Sequence, residues 1–191
     1  MNLKFPLGLL VLVVLLPNTS QADEACPMIS NFHAVTPSPI YRGAAPGSDG
    51  LDCLTGLKVH NDIDLEHTRF WVIDPEKEKA QELGMEFIPK PMLSLPGVLG
   101  DFTQISDEEV NSILAILANA KNEPTFVHCQ KGMDRTGLII GLHRVINEKV
   151  KPEDAWAEML KYGYHPHFTG LTHYFEKRTG WKAPDSESEE L

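Results

Sequence analysis

The sequence is short of cysteine, of basic charge and of long apolar runs, and each shortage removes a class of protein. Three cysteines in 191 residues cannot staple a disulfide scaffold, and none stands at zinc-ligand spacing from another. With 17 Lys+Arg against 27 Asp+Glu, the formal net charge is −10. The chain therefore lacks the basic face that general binding to nucleic acid or to an anionic membrane requires. The long apolar stretch near the start, Phe5 to Leu16, has 12 residues, whereas a bilayer crossing takes about 20. What is present fits one folded domain: 42% hydrophobic and 23% charged residues allow a core and argue against global disorder.

Lys4 precedes the apolar stretch, Pro17 ends it, and Ser20-Gln21-Ala22 offers the small residues that signal peptidase reads. Residues 1–22 are expected to be a secretory signal cleaved after Ala22. The protein would then be exported, periplasmic or secreted, with no stable membrane insertion. Asp23-Glu24-Ala25 before Cys26 is not the apolar set of a lipoprotein attachment site. Losing Lys4 leaves a net charge of −11.

Residues 23–39 read as an extended lead-in, 40–182 as one domain and 183–191 as an acidic, solvated tail. Strands are expected at Ile40–Arg42, Val59–Leu65, Phe70–Ile73, Met85–Ile88 and Pro124–His128, the Phe70–Ile73 run suiting a buried central position. Helices are expected at Ser48–Gly56, Pro75–Leu83, Arg135–Glu148, Pro152–Tyr162 and about Leu171–Thr179. Another helix opens on the capping box Ser106-x-x-Glu109 and puts Val110, Ile113, Leu114 and Leu117 on one face. Residues 89–105, rich in proline and glycine, read as a long loop. Strands alternating with helices, then a helical run, indicate an α/β domain with a central sheet.

The chemistry concentrates between strand and helix, in His128-Cys129-Gln130-Lys131-Gly132-Met133-Asp134-Arg135-Thr136-Gly137. A loop at that junction points successive backbone N–H groups inward, and the helix dipole adds positive potential there. Residues 129–135 thus make a nest for an oxyanion of phosphate size, which Arg135 can clamp through two oxygens. The same field favours the thiolate of Cys129, a nucleophile aimed at whatever the nest holds.

His128-Cys129-x-x-Gly132-x-x-Arg135-Thr136-Gly137 resembles the signature of the protein tyrosine phosphatase superfamily. The resemblance implies an α/β fold with a central mixed sheet flanked by helices, like the protein tyrosine and dual-specificity phosphatases. It implies that Cys129 is the nucleophile and that Arg135 binds the phosphoryl group and stabilises the transition state. It further implies that Gln130, Lys131, Gly132, Met133 and Asp134 complete the phosphate-binding loop. His128 would organise the loop and support the thiolate, a satisfied buried histidine being the alternative and compatible with it, and Thr136 would hydrogen-bond the Cys129 sulfur. No cofactor or metal is implied. Upstream, Tyr41-Arg42-Gly43-Ala44-Ala45-Pro46 is similar to the entry of atypical dual-specificity phosphatases, which stretches the likeness over about residues 38–180. Arg42 either neutralises substrate charge or makes a structural salt bridge, the second being preferred.

A general acid must protonate the leaving alkoxide. Asp101, in the long loop and 28 residues before Cys129, is the candidate. Asp101-Phe102-Thr103-Gln104-Ile105 is similar to the D-H-x-x-P stretch of PTP-like inositol polyphosphatases, the cysteine phytases, with Phe102 and Ile105 departing from it. The rivals are Asp107, better placed as a helix-dipole partner, and Asp134, which can simply orient Arg135. Lys131 on the loop, with Lys90, suits a substrate carrying further phosphates, so inositol polyphosphates are the expected substrates. Phosphotyrosine or dual-specificity protein phosphatase activity is the alternative, and a non-catalytic phosphate-binding module is an alternative of another class. His165-Pro166-His167 with His173 lacks the acidic or thiol neighbours of a metal site. Trp71, Trp156 and Trp181 read as packing residues. Export would let Cys26 and Cys53 pair, leaving Cys129 the free thiol that a nucleophile must be.

Overall fold

The structure, a computed structural model, describes residues 25–66, 75–92 and 105–184. The signal segment 1–22, the expected strand at 70–73, Trp71, Asp101 and residues 185–191 of the tail lie outside the described residues.

Five described strands form one sheet: β1 (His33–Val35), β2 (Ile40–Ala44), β3 (Asn61–Asp64), β4 (Glu86–Pro89) and β5 (Thr125–Cys129). Their order is β1-β2-β5-β3-β4. β1 runs antiparallel to β2, while the β2–β5, β5–β3 and β3–β4 pairs are parallel, so the sheet is mixed. β5 lies at its centre and is buried along its whole length. Its period-2 alternation sends Phe126 and Val127 into different cores.

Six described helices cover the sheet: α1 (Gly47–Gly56), α2 (Pro75–Glu82), α3 (Asp107–Ala118), α4 (Asp134–Ile146), α5 (Pro152–Lys161) and α6 (Thr169–Thr179). One core joins Val127 and Ile63 to α3, α4, α5 and α6. It takes in the α3 face expected from the sequence, and Ser106 caps α3 by accepting the Glu109 N–H at 3.3 Å. The other core joins Phe126 to Leu51 and Leu54 of α1 and Ala80 of α2. Trp156 packs inside the first core, edge-on to Tyr164 at 5.3 Å. No helix among the described residues is long and apolar enough to cross a membrane.

The first described residues depart from an extended lead-in. β1 pairs with β2, and Cys26, Ile29 and Phe32 are buried in the second core. Burying each of the two larger side chains stabilises the fold by about 1.5–3 kcal/mol. Cys26 is bonded to Cys53 of α1, closing a sequence separation of 27. Cys129 is the free cysteine among the described residues.

Candidate active site

β5 ends on Cys129 and α4 begins at Asp134, so residues 130–133 form a short bridge between a central strand and a helix N-terminus. Gly132 makes the bridge possible, with a φ of +68° that disfavours an L side chain. A Cβ there would also strike the Gly43 carbonyl on β2. The loop is therefore pressed against the end of β2, and its shape is fixed from outside. Arg42 Nη2 donates to the Gly132 carbonyl at 2.7 Å, and Asn31 Nδ2 donates to the same oxygen at 2.9 Å. Together they fix the peptide that follows Gly132. Arg42 is thus structural, as expected, although its partner is a carbonyl and not a carboxylate. Burial lowers the Arg42 guanidinium to about 10, which leaves it cationic at neutral pH. It lies over the Tyr162 ring, 4.8 Å from the centroid.

Cys129 sits 3% exposed at the base of a cavity of about 180 Å³. Gln130, Lys131, Asp134, Arg135 and Phe168 complete the lining. The cavity brings the expected nucleophile, the expected phosphate clamp and the exposed Lys131 to one place. Gly132 and Met133 belong to the loop but are not among its lining residues, nor is Lys90. Arg135 Nη1 donates to the Leu65 carbonyl at 3.1 Å, which anchors the guanidinium to the end of β3.

Asp134 is committed elsewhere than Arg135. Its Oδ1 accepts the backbone N–H of His165 at 2.9 Å and lies 2.9 Å from His165 Nδ1. This strap ties the turn between α5 and α6 to the phosphate loop and holds Phe168 at the cavity wall. His165, His167 and Phe168 form an aromatic group there, with ring centroids 4.7–5.8 Å apart. Asp107 accepts from Tyr174 at 2.8 Å and from Lys177 at 3.2 Å, and it does not line the cavity.

Two expectations need correction. The Thr136 hydroxyl was expected to reach the Cys129 sulfur, but it makes no hydrogen bond. Thr136 itself is fully buried in the first turn of α4. His128 is neither directed at the loop nor a simply satisfied core histidine. Its Nε2 lies 2.8 Å from Glu76 Oε1 and 3.3 Å from Asp62 Oδ1, and its Nδ1 lies 3.9 Å from Asp64 Oδ1. Burial alone would push this imidazole down, but the neighbouring Asp62 and Glu76 carboxylates outweigh it and hold His128 well above its usual range. Burial pushes the Asp64 carboxyl up to about 6, opposed by His128 and by the Glu66 N–H.

Residues 27–150 match the tyrosine phosphatase family. The chain belongs to this family. It is 28% identical over 137 residues to the dual specificity protein phosphatase TpbA of Pseudomonas aeruginosa, covering 70% of this chain and 55% of that protein. It is 23% identical over 116 residues to the inositol diphosphatase DSP2 of Oryza sativa subsp. japonica, covering 57% and 51%. The chain spans about half the length of these curated relatives. Among solved structures, the TpbA crystal structure superposes with a TM-score of 0.62 at 22% identity, over 79% of this chain and 86% of that one. The catalytic core of the PP-IP phosphatase SIW14 from S. cerevisiae, in complex with citrate, gives 0.63 at 21%, over 83% and 88%. These superpositions show the fold of this family member to be that of the protein tyrosine and dual-specificity phosphatases.

Asn31, Phe168 and His165 carry no local signal of a role at this site. Each reaches it across the chain, Asn31 over 101 residues and His165 over 31.

Proposed function

We propose that this family member is an exported, cysteine-dependent phosphomonoester hydrolase acting on inositol polyphosphates. The observation that carries the reading is the cavity in which free Cys129, Arg135 and Lys131 converge at the N-terminus of α4. Cys129 Sγ attacks the phosphorus, the bond to the leaving oxygen breaks, and a phosphocysteine forms. The leaving alkoxide takes a proton from the general acid, proposed to be Asp101, whose carboxylate then takes a proton from the water that attacks the intermediate. Inorganic phosphate leaves and the thiolate returns, with no cofactor consumed. The loop N–H groups and the Arg135 guanidinium offset charge on the transferring oxygens. Lys131 supplies a cation for a second phosphate on the same substrate.

Export is supported by the signal-like residues 1–22 and by the Cys26–Cys53 bond, which persists in oxidising compartments. A second reading, phosphotyrosine hydrolysis, is favoured by Phe168, whose ring on the cavity wall suits an aryl leaving group. Initial rates on inositol hexakisphosphate and on a phosphotyrosyl peptide separate the two. The wild type is expected to prefer the inositol phosphate, and Lys131→Ala to slow that substrate about tenfold while changing the peptide rate by about twofold or less. A peptide preference, abolished by Phe168→Ala, would support the second reading instead. Asp101→Asn should depress turnover of a poor leaving group far more than that of nitrophenolate. The same pattern from Asp134→Asn would move the acid to the loop.

A further inference from the structure

Behind the phosphate loop, on the α1–α2 side of the sheet, lies a buried group of ionisable side chains that phosphoryl transfer does not use. Asp62 sits on β3 opposite Phe126, His128 on β5 and Glu76 in the first turn of α2. Asp62 and His128 are fully buried, and Glu76 is largely so, with 19% of its side chain exposed. His128 Nε2 lies at ion-pair distance from Asp62 Oδ1 and Glu76 Oε1, yet neither oxygen of Asp62 receives a well-aligned hydrogen bond. Buried carboxylate oxygens left in that state are costly.

We propose that Asp62, Glu76 and His128 form a binding site for a divalent cation of the zinc class. The spacing is that of a ligand set: His128 Nε2 is 3.3 Å from Asp62 Oδ1 and 2.8 Å from Glu76 Oε1. All three ligand atoms lie within 4.8 Å of one another. Ligands about 2.1 Å from a tetrahedral ion stand about 3.4 Å apart, so small movements would seat one. On binding, the His128 ring gives its proton from Nε2 to solvent, and the two carboxylates, the neutral imidazole and a divalent ion then sum to no net charge. Asp64, 3.9 Å from Nδ1, lies on the side from which a carboxylate orients a metal-bound imidazole. A cavity of about 530 Å³, walled by Ser48, Leu51, Pro75 and Lys79, reaches the cluster at Glu76. The ion takes no part in phosphoryl transfer: it joins β3, α2 and the β5 residue that precedes Cys129. The inference does not depend on the proposed substrate or activity.

The test uses full-length protein carrying Cys129→Ser, so that the thiolate cannot capture the ion, stripped with chelator and titrated with zinc chloride. Metal content after dialysis is expected to reach one ion per chain, with a rise in melting temperature. Asp62→Asn should weaken binding at least tenfold, and Glu76→Gln, at the cavity wall and easier to fold, should do the same. Binding well below one ion per chain would overturn the proposal and leave the cluster held by protons alone. An ion retained at full affinity in Glu76→Gln, or lost in His167→Ala, would also overturn it by placing the metal elsewhere.

Discussion

Gly132 concentrates the constraints on the phosphate loop in one residue. It must adopt positive φ, and it must leave room for the β2 backbone, since a Cβ would also come within 2.6 Å of the Ala44 nitrogen. Gly132→Ala is expected to cost about 2 kcal/mol or more, as backbone on both sides must give way. Activity should fall further than stability, because Arg42 and Asn31 would lose the carbonyl they hold. Melting temperature and kcat/KM of the variant check this, and near-native values for both would contradict it. The candidate motif stands out in the sequence because it is local: Cys129, Gly132 and Arg135 stand within seven residues. Asn31 and the Asp134–His165 strap do not, because a hydrogen bond between distant residues leaves no pattern in either stretch. The Thr136 expectation came from the family resemblance, which carries a residue type to a position but not the direction of its hydroxyl.

β3 reads as a half-polar strand, yet all four of its residues are buried. Asp62 and Asp64 point to the side of the sheet that holds His128, so their polarity reports a buried cluster and not a solvent face. Asp64 carries a pH signature. An ordinary aspartate titrates near about 4, whereas burial raises this carboxyl to about 6. Between those values the folded state binds more proton than the unfolded state, so stability falls as pH rises. The contribution is fully present below about pH 4 and lost above about pH 6, and is worth up to about 3 kcal/mol. Asp64→Asn keeps an oxygen acceptor for the Glu66 N–H, which Asp64 Oδ1 receives at 2.6 Å, and removes the titration. Denaturation in chelator should therefore show the variant gaining on the wild type from pH 4 to pH 7, and a constant difference would contradict this. Most helices were legible to within one or two residues at each end from caps and apolar spacing, α3 most clearly. β1 was not, because three residues carry too little alternation to mark a strand.

At the scale of the whole molecule, bulk charge and site charge have opposite signs. A chain of net charge −10 places Arg135, Lys131 and a helix N-terminus around one small cavity. The α/β class followed from the order of strands and helices, but the sheet order, with β5 between β2 and β3, rests on long-range pairing that composition cannot reveal. The Cys26–Cys53 bond fastens residues that read as a loose lead-in to α1, where Ile29 and Phe32 complete a core. Closing that loop is worth roughly 3 kcal/mol in chain entropy. A double Cys26→Ser, Cys53→Ser variant should unfold at lower denaturant than the oxidised wild type and should not respond to reductant; equal midpoints would contradict the role given to the bond. The central claim is that Cys129 performs the chemistry, and it is tested most directly by phosphate release from para-nitrophenyl phosphate with chelator present. The wild type is predicted to turn over, and Cys129→Ser to fall to background while still binding a phosphate ligand. Turnover that survives Cys129→Ser would contradict the account.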